Sequence, residues 1–218
     1  LLHLGMKVII VHGGGKHISR RLEEKGIESH FHKGYRVTSE SAISEVEMVL
    51  SGHINKELTL LFNNFGIETI GINGKDAGLI KAKKKVVDES YDIGHVGDVV
   101  DINVSFLEML LKNGYLPVVS PIGFDEKGVT YNINADDVAS EIARHMKAEK
   151  LFLISDVDGI YRDLDDTDTF ISRMTLAQAK EMLAEGVLTG GMIPKINSCI
   201  DCIEDGVKSV HIIYGGST

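Results

Sequence analysis

Apolar residues along the chain fall into blocks with two different spacings. Lys7 to Val11 (KVIIV) and Leu116 to Ser120 are dense runs that predict buried strands, the first buried on both faces. Ile67 to Ile72, Lys150 to Ser155 and Ser209 to Ile213 predict further strands. Elsewhere the apolar positions recur at helical spacing. Ile43, Val46, Val49 and Leu50, then Leu58, Leu61 and Phe62, mark one long helix from Glu40 to Phe65, with Thr38 as N-cap and a break expected near Gly52. Shorter helices are predicted over Ile18–Lys25, closed by Gly26, and Val104–Leu111, ended by Gly114. Three more are predicted over Asp136–Lys147, Leu176–Glu185 behind Thr175, and Ile193–Glu204 after Gly190-Gly191. Leu79–Val87 and His95–Ile102 read as strands of a smaller β element, and Gly123–Asn134 as a hairpin turning at Glu126-Lys127-Gly128. Strands alternating with helices predict an α/β fold, a largely parallel sheet with helices on both faces. Ligands of such sheets bind at the carboxyl ends of strands.

Composition narrows the function classes. The chain has 218 residues, 23 basic and 32 acidic, for a net charge of −9, a poor balance for binding nucleic acid or an anionic membrane. Its one basic run, Lys81 to Lys85, reads as a solvated face. No apolar run is long enough to span a bilayer. Two cysteines cannot build a disulfide framework, so the expected setting is the cytoplasm. Cys199 and Cys202 spell C-x-x-C in mid-helix, with neither a second pair nor a nearby His, and read as helix positions rather than metal ligands. No dedicated metal cluster is expected.

The candidate chemistry starts where the first strand ends. His12 and three glycines, Gly13 to Gly15, stand between the strand and a helix, and present backbone N–H groups to an anionic oxygen, most often phosphate. A Walker A loop would need glycine at position 10, which is Ile10, and Ser or Thr after Lys16, where His17 stands. The dinucleotide fingerprint would need glycine at position 18, which is Ile18. Neither motif fits.

A phosphoryl-transfer site needs backbone donors and cations around the transferred group, a carboxylate to hold the cations or a metal, and a grip on the acceptor. Lys195, at the start of a helix, is one candidate; simple solvation is its competing reading. Arg36, in the turn Gly34-Tyr35-Arg36, can grip a carboxylate with its planar fork, against a structural salt bridge. Asp136 lies at a helix start, where capping is the bland reading, and Asn132 and Asn134 can be plain hairpin residues.

The blocks VHGGGK, GYRVT, EVEMVLSGHINKEL, IGINGKDAGLI, YNINADDVA, LISDVDGIY and LTGGMIPKI, in this order, resemble the N-acetyl-L-glutamate kinases of the amino acid kinase family over essentially the whole chain. The resemblance implies a three-layer αβα sandwich and transfer of a phosphoryl group from ATP, with Mg2+, to the γ-carboxylate of N-acetyl-L-glutamate, a step of arginine biosynthesis. It implies that Gly14 and Gly15 contact substrate and transferred phosphoryl group, that Arg36 and Asn132 bind the substrate, that Asp136 orients catalytic lysines, and that Lys195 stabilises the departing phosphate. Asp156, Val157, Asp158, Gly159, Ile160 and Tyr161, with Val187, Leu188 and Thr189, would line the nucleotide site. Residues 1–120 would serve mainly the amino-acid substrate and 121–218 mainly the nucleotide, within one domain. A homodimer is implied through the 41–64 helix.

Two departures from the family bear on activity. Its members begin with a strand carrying a K-x-G-G element, which would lie before Leu1, and carry D-G-R after the last strand, where this chain reads Tyr214-Gly215-Gly216. The chain is therefore expected to be truncated at both ends and to lose transition-state stabilisation without that lysine. A sibling kinase acting on another carboxylate, or a non-catalytic nucleotide- or acetylglutamate-binding protein, are the alternative readings.

Overall fold

The chain divides into one unit up to Ala139 and another from Ser140. The computed structural model describes residues 5–155, 160–161, 166–187 and 192–216. The first unit runs β1 (Ile10–Val11), α1 (Gly15–Glu24), β2 (Phe31–His32), β3 (Tyr35–Arg36), α2 (Glu40–Glu47), a π-helical segment (Met48–Ile54), α3 (Asn55–Asn64), β4 (Thr69–Asn73), β5 (Ile80–Lys84), β6 (Gly97–Ile102), α4 (Val104–Lys112), β7 (Leu116–Ser120), β8 (Ile122–Phe124), β9 (Thr130–Asn132) and the start of α5 (Ala135–His145). The second holds β10 (Lys150–Ser155), β11 (Ile160–Tyr161), β12 (Phe170–Ile171), α6 (Leu176–Ala184), α7 (Met192–Glu204) and β13 (Ser209–Tyr214).

The first unit is built on the parallel sheet β1-β7-β4. Strand β7 is buried at all five positions, because it pairs on both sides and is covered by α3 and α4. The expectation for Lys7–Val11 needs correcting: only Ile10 and Val11 are strand, and both are half-buried. The reason is position, since β1 pairs only with β7 among the described residues. A second, mostly antiparallel sheet runs β6-β5-β8-β9, with β8 and β9 forming the predicted hairpin.

The long helix has no break. Gly52 sits inside the π-helical segment, which joins α2 to α3 without losing the axis. A π turn widens the coil by one residue per bond and occurs frequently at functional sites. Here it brings Leu50 and Ile54 against the glycine loop: a Cβ on Gly14 would meet Ile54 Cδ1, and Leu50 Cδ2 at 2.9 Å. Ile18 and Leu22 of α1 close a core with Ala42, Val46, Val49 and Leu50. Thr38 does not cap the long helix. Ser39 occupies the N-cap position, and Thr38 is fully buried below it.

In the second unit β10 and β13 pair in parallel over six residues, and α6 opens on a capping box between Thr175 and Gln178. Ala179, Met182, Ile196 and Ile200 of α6 and α7 form its core cluster. Cys202 is buried in α7 and its thiol donates to the Ser140 carbonyl at 3.7 Å, a packing role in keeping with its helix position.

Candidate functional site

A pocket of about 240 Å³ opens in the first unit where three chain turns meet: the Gly13–Gly15 loop, the β2–β3 hairpin carrying Arg36, and the step from β9 into α5 carrying Asn132 and Asp136. The starts of two helices, α1 and α5, line it close together: a Cβ on Gly13 would lie 3.7 Å from the Ala135 Cβ. Their chemistry differs. Helix α1 begins at Gly15 with no side-chain cap at Gly14 and no acidic residue in its first turn. Its first N–H groups and the positive end of its dipole are thus left for an outside anion. Helix α5 is already satisfied: Asn134 Oδ1 accepts from the amides of Asp136 at 2.8 Å and Asp137 at 3.3 Å. Asn134 is therefore the cap, and Asp136 lies in the first turn and lines the pocket.

Arg36 is 7% exposed. Its Nη2 donates to the Gly15 carbonyl and to Ser19 Oγ, both at 2.9 Å, and its Nη1 donates to Ser29 Oγ. The guanidinium also lies 4.6 Å from the centroid of Phe31. No carboxylate among the described residues lies within ion-pair distance of it, so the structural salt bridge is not what holds it. Burial pulls its pKa down, yet a guanidinium remains charged at neutral pH. A desolvated guanidinium with no carboxylate partner among the described residues, lining an open pocket, can accommodate an anion.

Asn132 joins the same network. Its Nδ2 donates to Thr38 Oγ1 at 3.2 Å, and its backbone N–H to the His95 carbonyl at 2.9 Å. His12, beside the loop, is buried: its Nδ1 lies 3.0 Å from the Gly13 carbonyl and its Nε2 3.1 Å from Asn55 Nδ2. Asn55 in turn donates to the Val118 carbonyl at 2.9 Å, tying the long helix to β7.

The structure thus gathers Gly14, Gly15, Arg36, Asn132 and Asp136 around one pocket. Lys195 is half-buried in the first turn of α7, in the second unit, as its helix-start placement predicts. Ile160 and Val187 both pack on the cluster of Ala179, Met182, Ile196 and Ile200, and Tyr161 lies against Phe170 with ring centroids 5.4 Å apart. Asp156, Val157, Asp158, Gly159, Leu188 and Thr189 fall outside the described residues. Sequence reasoning missed two neighbours of the site. Thr38 looked like a cap because Ser and Thr stand together before the helix, and Lys85 was hidden in the basic run. Lys85 is not solvated: its side chain is 15% exposed and paired with Asp98 and Asp137.

A model of the amino acid kinase family matches residues 1–214. Acetylglutamate kinase of Thermoanaerobacter sp. (strain X514) is 49% identical over 215 residues, 99% of this chain and 71% of that protein. The crystal structure of smu.665 from Streptococcus mutans UA159 gives a TM-score of 0.83 at 30% identity, over 97% of this chain and 83% of that one. Carbamate kinase from Giardia lamblia bound to AMP-PNP gives 0.70 at 14% identity, over 97% and 78%, a likeness of fold alone.

Proposed function

The chain belongs to the amino acid kinase family and is a kinase, and from that premise we propose that it phosphorylates the γ-carboxylate of N-acetyl-L-glutamate with ATP. The observation that carries this reading is Arg36, a buried guanidinium without a carboxylate partner among the described residues, beside an uncapped glycine loop. Two anionic groups belong in such a pocket, one on the arginine and one on the loop. An acylated amino-acid dicarboxylate being phosphorylated supplies both.

In this reading the α-carboxylate of the substrate sits on Arg36, Asn132 helps to fix it, and the γ-carboxylate meets the N–H groups at Gly14 and Gly15. A carboxyl group with a pKa of about 4 is already ionised at neutral pH, so its attack on phosphorus needs no general base. One of its oxygens bonds to the γ-phosphorus as the bond to the β–γ bridging oxygen breaks, and ADP leaves with that electron pair. The transition state spreads charge over three oxygens, which the loop amides stabilise; the roles that the family resemblance implies are charge stabilisation for Lys195 and orientation of catalytic lysines for Asp136. His12 is a structural member of the loop.

The nucleotide lies against residues 156–161 and 187–189. The first 120 residues serve mainly the amino-acid substrate and the remainder mainly the nucleotide. Mg2+ bound with ATP would supply charge neutralisation at the phosphates. We place the reaction in arginine biosynthesis in the cytoplasm. No helix of the described residues is long and apolar enough to cross a membrane.

ADP release measured with acetylglutamate, aspartate, glutamate and carbamate tests the reading, with hydroxylamine added to trap the acyl phosphate as a hydroxamate. Acetylglutamate should be the fastest acceptor. Faster turnover of any of the others would overturn the substrate assignment.

A further inference from the structure

Lys85 closes the basic run, yet its surroundings differ from those of a solvated lysine. Its backbone N–H donates to the Val96 carbonyl at 2.8 Å, which fixes where the side chain starts. From there Nζ pairs with Asp98 of β6, reaches Asp137 in the first turn of α5 at 3.6 Å, and lies 4.5 Å from the centroid of Tyr35 in β3. Lys85 does not line the pocket, whereas Tyr35, Val96 and Asp136 do. Lys85 is therefore tied to the surround of the pocket at three points: its N–H at Val96, and its ammonium at the Tyr35 ring and at Asp137, the neighbour of Asp136.

We propose that Lys85 is a positioning residue for the amino-acid substrate, clamping the β2–β3 hairpin that carries Arg36 to the helix start that carries Asp136. The inference rests on the reading that this pocket takes acetylglutamate. Arg36 is the neighbour of Tyr35 in a two-residue strand, so a shift of the backbone at Tyr35 moves Arg36 with it. Asp136 is likewise the neighbour of Asp137.

The electrostatics make the clamp specific to a cation. Burial alone would lower the Lys85 pKa, but its bond to Asp98 and its electrostatic attraction to Asp137, Tyr35 and Asp98 more than offset this and leave it raised. Asp98 takes the shorter bond. Asp137 keeps a raised pKa, first because of burial and then because of the nearby Asp98 and Asp136 carboxylates, against which Lys85 is the opposing charge. Without the ammonium, three carboxylates would crowd one corner, and the face of the Tyr35 ring would lose its cation.

Binding calorimetry and amide hydrogen exchange on Lys85→Met, Lys85→Arg and the double variant Lys85→Met/Asp137→Asn test the inference. Lys85→Met should weaken acetylglutamate at least about tenfold while ATP stays within about twofold, the split expected of a residue acting on one ligand alone. Lys85→Arg keeps the charge over Tyr35 and should stay within about threefold of the wild type. The double variant removes the uncompensated buried charge, keeping the fold if the single variant does not hold it, and should bind acetylglutamate as weakly as Lys85→Met. Equal loss of both ligands, acetylglutamate binding within about twofold of wild type, or full restoration in the double variant would overturn the clamp. Should the wild type itself not bind acetylglutamate, the functional reading falls instead. The clamp is then decided by exchange at Phe31–Arg36, which it expects to quicken about tenfold in the methionine variants and which it does not survive if unchanged.

Discussion

The side-chain amide of Asn132 donates to the hydroxyl of Thr38 at 3.2 Å. That hydroxyl passes the contact on, donating to the Arg36 carbonyl at 3.0 Å, so two candidate substrate residues share one buried threonine. Thr38 is itself held by its neighbours: its N–H donates to the Ile93 carbonyl at 3.1 Å, and its carbonyl accepts from His95 at 2.7 Å. Gly94 must be glycine here, because its φ of +72° is left-handed and a Cβ would strike the Thr38 carbonyl oxygen. Thr38→Val keeps the shape and removes the hydroxyl, stranding a half-buried amide and a buried carbonyl. The expected cost is about 1–3 kcal/mol of stability, read by urea unfolding. KM for acetylglutamate should rise more than KM for ATP, and Thr38→Ser should restore both.

Arg36 separates binding from folding. It is desolvated and its partners are hydroxyls and a carbonyl, so Arg36→Met should leave stability unchanged or slightly raised. Its charge-assisted bonds to a carboxylate contribute about 1.5–3 kcal/mol each, so acetylglutamate affinity should fall on the order of a hundredfold. ATP affinity should hold. Arg36→Lys should not rescue, since an ammonium cannot reach Gly15, Ser19 and Ser29 while presenting a planar fork to the ligand. An equal loss for both ligands in calorimetry would make the residue structural.

Much of this arrangement is legible in the sequence, because local rules and tertiary structure agree there. Leu116–Ser120 and Lys150–Ser155 are strands with the predicted bounds, and the glycine loop, Arg36, Asn132 and Asp136 do meet. What is not legible depends on partners distant in the chain. The burial of Lys85 is decided by Asp98 and Asp137, which nothing in the run KAKKK announces. Whether Asn134 or Asp136 caps α5 is a choice between two good capping residues, settled by where β9 ends. The π segment keeps Val49 and Leu50 buried beside Val46 of α2 as an α-helix would, so the hydrophobic pattern carries no mark of it.

His12 gives the protein a pH dependence with a definite sign. Asn55 Nδ2 is committed as a donor to the Val118 carbonyl, so its second hydrogen faces His12 Nε2, which must accept. Nδ1 then carries the proton and donates to Gly13. A second proton has no place, and burial lowers the His12 pKa although the Gly13 carbonyl opposes this. Above about pH 6.5 the imidazole is neutral in both folded and unfolded chains, and its contribution is complete. As pH falls below that value the unfolded chain takes up a proton that the folded one refuses, and stability declines until the folded pKa is passed. Urea unfolding between pH 7.5 and 5 should show a steeper decline in the wild type than in His12→Gln. Parallel curves would mean that His12 is not kept neutral.

The proposed homodimer can be tested at the long helix. Met48 is 50% and Leu60 62% exposed, unusual for large apolar side chains on a helix whose other side is core. The π turn absorbs one extra residue, which brings Met48 and Leu60 close to the same side of the helix despite the residues between them. An isologous interface meets its own copy, so a charge introduced there is buried twice and opposed by itself. Leu60→Glu should therefore yield a monomer in sedimentation velocity where the wild type sediments as a dimer. Its fold should be retained, because the side chain is exposed within the protomer. A monomeric wild type, or a variant that sediments with the wild type, would move the interface off this helix.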